Sequence, residues 1–379
     1  MKILYVNICP KESYEGHRLF DVEWCENLSL IGDVDLIQPT DDWFGECPSY
    51  INKITFVPEN HVRFAKLLKS RLLNFGRLKN ISPHKHAMVK AIAKYVKKLD
   101  SINNYDVIVA AHFDLFALSL NHYKKSFLEK TFILDHLSPS EYLKKSFFKH
   151  LYNKKKNKVN HIAMEKTVAY DLVAKCDIKE NRVFYIPHPF NKPIDYLVDV
   201  SSYDVLGISN SNSIEYVKAL IDYEEHNHFF EKKKIKILIR NKEYEYDNGY
   251  LSVKKGLLNY SLNEFYSLIA KSKLILAIFP ISFGSRTSGT VIDALSYRVR
   301  CIGSKFASYL SYCEDYPNAC KSFENIGDLI QIIESLLSKN DKECQTDFDN
   351  FFNDRNGVKL REYLNQIITK DNKNTREIL

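Results

Sequence analysis

Between Lys273 and Phe279 the chain is an almost unbroken apolar run, the pattern of a strand buried on both faces, and Pro280 ends it. A strand without a polar side needs cover on each face, which restricts the chain to a mostly parallel sheet sandwiched by helices. The following residues extend that plan: a loop holding Gly284, Arg286 and Gly289, a helix with Ser288 as N-cap and Val291, Ala294 and Leu295 along it, then a strand from Cys301 and Ile302. A helix N-terminus fed by small residues presents backbone N–H groups and the positive end of its dipole, which suits a phosphate or diphosphate. Arg286 adds a forked cation at the same place, with Ser285, Thr287 and Thr290 beside it. The same residues also fit an ordinary βα loop.

Strand and helix patterns alternate through the chain twice. In the first half Ile3–Val6, Asp35–Ile37, Asp106–Ala110, Thr131–Leu134, His161–Ala163 and Val183–Ile186 read as strands, separated by helix-length segments such as Arg18–Leu30 and Lys85–Leu99. Past the proline-marked stretch Ile186–Pro193, the plan restarts with Val205–Ile208, Ile235–Ile239, Lys273–Phe279 and Cys301–Ile302. The expectation is an α/β chain of two Rossmann-like, doubly wound domains, residues 1–190 and 201–355, followed by a C-terminal helix over 356–379. With 379 residues, each domain can bury its own core.

Charge and cysteine usage narrow the function classes. The eight cysteines are scattered without zinc-type spacing, so they read as reduced packing thiols. No apolar stretch reaches membrane-spanning length, and MKILYVNICP enters a strand directly, which is the pattern of a cytoplasmic protein. The formal net charge of +7 is modest, but Lys66–Lys79 and Lys144–Lys158 interleave cations with leucines and aromatics. Such segments suit either an anionic lipid surface at the inner face of the plasma membrane or a solvated helix face whose apolar side is core. No Asp-x-Asp strand-end metal motif, phosphate-binding Gly-x-x-x-x-Gly-Lys loop or nucleophile elbow occurs; Asp33-Val34-Asp35 and Asp41-Asp42 suit helix ends and turns.

The segment 279–303 resembles the nucleotide-sugar site of GT-B glycosyltransferases, most nearly the family-four type. Laid over that family's acidic pair, Asp293 falls on the second carboxylate and Ser285 on the first, while Arg298 and Arg300 replace the small, proline-marked end of its helix. The resemblance implies two Rossmann-like domains facing a central cleft, with the last helix crossing back to the N-terminal domain. It implies a donor site in the C-terminal domain, in which Asp293 accepts hydrogen bonds from the ribose hydroxyls.

Ligands of open α/β sheets collect at the carboxyl ends of strands. His112, Asp135 and His136 stand there in the first half, and the resemblance places the second histidine beside the donor sugar. Each also fits a structural role. Glu15, Gly16 and His17 belong to the first loop, which the family uses on the acceptor side; a surface loop capping a helix from Arg18 is the alternative. In the second half Ser209, Asn210 and Ser211 follow a strand with hydroxyl and amide groups able to hold a diphosphate, and Arg240 ends another strand.

The expected activity is metal-independent transfer of a sugar, of the hexosyl type, from a nucleotide-diphosphate donor to a glycan or lipid-linked glycan. Cell-surface polysaccharide assembly, such as O-antigen, capsule or lipopolysaccharide, is the setting the resemblance implies. The nucleotide sugar is the co-substrate, with no further cofactor and no nucleic acid. Two alternatives stay open: a non-hydrolysing nucleotide-sugar epimerase, which turns over without an acceptor, and a non-catalytic nucleic-acid or glycan-binding protein.

Overall fold

The computed structural model describes residues 1–7, 15–38, 48–58, 60, 63, 83–111, 119, 122–136, 143, 146–190, 197–256, 260–338, 341–371 and 373–379. These fall into two compact units, Met1–Pro189 with Gly357–Leu379, and Phe190–Asn356.

The first unit holds β1 (Lys2–Asn7), β2 (Asp33–Gln38), β3 (Lys53–Phe56), β4 (Val107–Ala111), β5 (Thr131–Asp135), β6 (Asn160–Ala163) and β7 (Val183–Tyr185). They form one parallel sheet in the order β3-β2-β1-β4-β5-β6-β7. Its helices include α1 (Glu15–Ser29), α2 (Pro83–Asn103), α3 (Lys125–Glu129), α4 (Ser146–Asn153) and α5 (Lys166–Ala174). Strand β1 shows why its residues are apolar without interruption. Leu4 and Val6 pack with Ile92, Ala93 and Val96 of α2, whereas Ile3 and Tyr5 pack with Phe20, Trp24 and Leu28 of α1. Both faces are core, as a doubly wound sheet requires.

The second unit runs β8 (Val205–Gly207), α6 (Ile214–Asn227), α7 (Phe229–Lys233), β9 (Ile237–Asn241), β10 (Tyr246–Asp247), β11 (Leu251–Lys255), α8 (Leu262–Lys271), β12 (Leu274–Ala277), α9 (Gly289–Ser296), β13 (Arg300–Ser304), α10 (Ala307–Asp315), β14 (Cys320–Phe323), α11 (Ile326–Ser338) and α12 (Gln345–Asn353). The sheet order is β10-β11-β9-β8-β12-β13-β14, parallel except for the β10–β11 pair. After β11 the chain returns across β8 to lay down β12 on its other side. That reversal creates the switch point at which open α/β sheets bind ligands.

Two further helices, α13 (Gly357–Thr369) and α14 (Lys373–Ile378), belong to the first unit. Leu360, Tyr363, Leu364 and Ile367 of α13 join the cluster around Phe20 and Trp24. Thr375 of α14 accepts a hydrogen bond from the backbone N–H of Tyr185 at 2.7 Å, satisfying a donor on edge strand β7.

Several elements differ from the sequence expectation. Strands β3, β10, β11 and β14 carry too few apolar residues to announce themselves; β3 and β14 are edges, and β11 reads Leu-Ser-Val-Lys-Lys. Helix α1 begins at Glu15, so Glu15, Gly16 and His17 form its first turn rather than a loop. In the basic segment Lys144–Lys158, Lys155 and Lys156 are buried, as are Leu151 and Tyr152. Lys156 Nζ donates to Cys176 O and to Asp177 Oδ2, so neither these cations nor this apolar side is presented to a lipid surface. Lys66–Lys79 lies outside the described residues.

Burial also sets the cysteine chemistry. It pushes the thiols of Cys301 and Cys313 up to about 12, and those of Cys25 and Cys320 well above their ordinary value. Thiolate is the reactive form, so iodoacetamide at pH 8 is expected to leave these four unmodified in the native protein and to label them on unfolding. Rapid native labelling of Cys301 or Cys320, read by mass spectrometry, would contradict this packing.

Candidate functional site

The switch point of the second unit is built from the loops after β8, β9 and β12. Past β12, Pro280 leads into a single 3-10 turn, Ile281–Phe283, and Gly284 then adopts φ 64°, a backbone conformation that side chains with a Cβ resist. Ser288 accepts from the backbone N–H of Val291 at 3.3 Å and caps α9. A Cβ placed on Gly289 would meet nothing within 4 Å, so there is open space in front of that helix terminus. Arg286 is exposed, with its guanidinium 5.7 Å over the ring of Phe283.

Three strand ends are tied together beneath this loop. The backbone N–H of Ser213 donates to Ile278 O at 2.8 Å, joining the loop after β8 to the end of β12. Asn212 Nδ2 donates to Gly207 O at 2.5 Å and Arg240 O at 3.0 Å, bridging β8 and β9. Both amide hydrogens thus face carbonyls, which leaves Oδ1 as the acceptor without a partner. Ser304 is buried on β13 and its hydroxyl donates to Phe279 O, holding the strand end from the other side. Two buried oxygens, Asn212 Oδ1 and Thr287 Oγ1, have no hydrogen-bond partner among the described residues. A ligand hydroxyl would relieve that condition.

The residues singled out from the sequence fall as follows. Ser285, Arg286, Thr287, Ser288, Gly289 and Thr290 lie on the loop and first turn of α9, while Ser209, Asn210 and Ser211 lie on the loop after β8. Ser209 Oγ accepts from the Ser211 N–H at 3.2 Å, a turn made by the hydroxyl. Arg240 Nε donates to Gly256 O at 2.6 Å, which draws this guanidinium toward the residue after β11. Asp293 is buried on α9; burial first, then this neighbouring carboxylate, push the Tyr266 hydroxyl upward, and the Tyr266 ring stacks on Tyr297 at 5.3 Å.

In the first unit, His136 follows β5 with its ring 4.6 Å from Phe20 and 6.4 Å from His188. His188 Nδ1 donates to Pro189 O at 2.6 Å, which fixes its tautomer. Asp135 turns to its neighbour on β6: Oδ2 is 2.8 Å from His161 Nδ1, and His161 Nε2 is 3.0 Å from Lys156 O. His112 lies outside the described residues. Sequence reading included Asn212 in the loop after β8 for its amide, and passed over Ser304 and His161 as site-builders, because each acts through a partner on another element.

Among the described residues no group of three or more His, Cys, Asp or Glu is placed to hold a metal ion. No helix among them is long and apolar enough to cross a membrane.

No protein-family model matches the chain, and no curated protein matches it. Solved structures do. A glycosyltransferase from Rickettsia africae ESF-5 superposes with a TM-score of 0.59 at 13% identity, covering 97% of this chain and 98% of its own. HepE from Anabaena, solved in complex with UDP, gives 0.60 at 13% identity over 98% and 100% of the two chains. The UDP-GlcNAc 2-epimerase from Methanocaldococcus jannaschii gives 0.58 at 14% identity over 98% and 100%.

Proposed function

We propose, from the premise that this chain has the GT-B fold, that it is a glycosyltransferase taking a sugar from a nucleoside-diphosphate donor to a glycan or lipid-linked glycan. The observation that carries the reading is the switch point of the second unit. There an exposed Arg286, the capped N-terminus of α9 and two unsatisfied buried oxygens, Asn212 Oδ1 and Thr287 Oγ1, stand on one set of loops. Such a site suits the leaving group of the reaction. As the bond between the anomeric carbon and the diphosphate oxygen breaks, negative charge grows on the diphosphate, and a guanidinium with helix N–H groups stabilises it. Asp293 is assigned to the ribose, and His136, directly after β5 of the first unit, is assigned a place beside the donor sugar, while Asp135 faces His161. Cell-surface polysaccharide assembly on the cytoplasmic side of the membrane is the setting we propose. Any lipid docking would fall to cations other than Lys155 and Lys156.

The test is calorimetry with a panel of nucleoside diphosphates, followed by turnover of the matching nucleotide sugars with and without glycan acceptors. Binding of one nucleoside diphosphate and acceptor-dependent transfer, unchanged by excess EDTA, are the expected results, since Arg286 and α9 take the place of a divalent ion. Activity lost in EDTA and restored by Mg²⁺ or Mn²⁺ would overturn the metal-independent assignment. The similarity to the M. jannaschii epimerase favours one second reading, isomerisation of the donor itself. Conversion of a nucleotide sugar without acceptor would select it.

A further inference from the structure

We infer that Ser308 is a positioning residue for Arg286, holding this exposed cation in place from the buried side of its loop. The inference rests on the proposed donor site. Ser308 is the second residue of α10 and is fully buried. Its backbone N–H donates to Gly284 O at 3.1 Å, and its hydroxyl donates to Arg286 O at 2.7 Å. One residue therefore satisfies the carbonyls on both sides of Ser285. Gly284 adopts its positive φ beside these two contacts, so Ser308 ties the turn on both sides of Ser285 to the start of α10.

The side chain of Arg286 is held as well. Its guanidinium lies over Phe283, whose ring packs on Phe279 at 4.7 Å and Phe306 at 5.1 Å; Phe279 and Phe306 are buried, and Phe306 directly precedes α10. Arg286 is thus anchored at its carbonyl by Ser308 and supported at its charged end by an aromatic group continuous with the same helix. An arginine left on a free loop loses much rotamer freedom when it grips a diphosphate; one already placed loses less, and binds tighter for the same contacts. Ser308 touches no ligand in this scheme. It acts only through Arg286.

The experiment is a double-mutant cycle on the full chain, with nucleoside diphosphate affinity (UDP, then GDP) by calorimetry and kcat/KM as the two readouts. Ser308→Ala is expected to weaken diphosphate binding about tenfold, the scale of one lost hydrogen bond that sets geometry. In an Arg286→Ala background the same change is expected to alter affinity less than about twofold, because the residue it positions is gone. Ser308→Thr restores the hydroxyl and should recover most of the loss. Equal losses in both backgrounds would mean that Ser308 serves the fold and not Arg286, and would overturn the inference. If Arg286→Ala weakens binding and Ser308→Ala does not, the inference fails while the donor site stands; if Arg286→Ala changes nothing, the donor site itself fails. Should Ser308→Ala not fold, as shown by thermal melting, Phe283→Leu removes the aromatic support at similar volume. It must then show the same dependence on Arg286.

Discussion

Replacing Arg286 with alanine is expected to lower kcat/KM by about a hundred- to a thousandfold, equivalent to roughly 2.5–4 kcal/mol of transition-state stabilisation. The size follows from where the charge develops. In the donor the diphosphate is already anionic, but its terminal oxygens gain charge as the sugar departs, so a contact there strengthens along the reaction. Because the proposed chemistry uses no metal, Arg286 and the N–H groups of α9 carry this stabilisation. A guanidinium grips two oxygens at once and a lysine ammonium offers one point charge, so Arg286→Lys should also be impaired, though less. The side chain is exposed, and its removal should leave the thermal transition within about 2 °C of the native protein, which separates lost catalysis from lost folding. Both kcat/KM and nucleoside diphosphate affinity within about threefold of the native values would make Arg286 a surface cation and displace the donor site.

The largest stability effect is expected at His161. Its ring is 1% exposed, and each nitrogen faces an acceptor, Asp135 Oδ2 at 2.8 Å and Lys156 O at 3.0 Å. His161→Phe preserves much of the volume but leaves the Asp135 carboxylate, 17% exposed, and a carbonyl without their donors. Leaving buried acceptors without their donor costs about 3 kcal/mol, which in a unit of this size lowers the unfolding temperature by about 6–12 °C. Asp135→Asn keeps an acceptor toward the ring and should lose only about 1 kcal/mol. Scanning calorimetry of both variants checks the order. A His161→Phe protein melting with the native one would show that the pair contributes nothing to the fold, and would free Asp135 for the catalytic role its position at the end of β5 first suggested.

How much could be read from the chain depended on how locally each feature is encoded. Strands β1, β4, β5 and β12 announce themselves because both faces of their central residues are buried, so those central runs are apolar. Edge strands β3 and β14 and the polar β11 do not, because pairing with a neighbour supplies the stability that their side chains lack. The loop 280–289 was legible as a phosphate-sized turn from Pro280, Gly284 and Ser288 alone, since each of these residues acts on its own backbone. Arg240 shows the limit of that reading. Its place at the end of a strand fitted either a ligand or a surface cation, and its Nε donates to Gly256 O, a partner that only the pairing of β9 with β11 brings near.

From the residues alone come the α/β class, the two rounds of strand and helix, and the small-residue turn with its cation. Each follows from propensity, periodicity and capping within a few residues. Tertiary structure decided the rest. Strand β12 lies beside β8 only because the chain crosses back over the sheet, and that crossing brings Asn212, Ser213 and Ile278 together. Asp135 reaches His161 because β5 and β6 are neighbours: Asp135 is opposite Ala163, and His161 sits two residues earlier, opposite Ile133, on the same face of the sheet. Ser308 reaches Arg286 because α10 begins beneath the loop. A hydrogen bond is a matter of tenths of an ångström between atoms, and for groups far apart in the chain that distance exists only once the sheet order is complete.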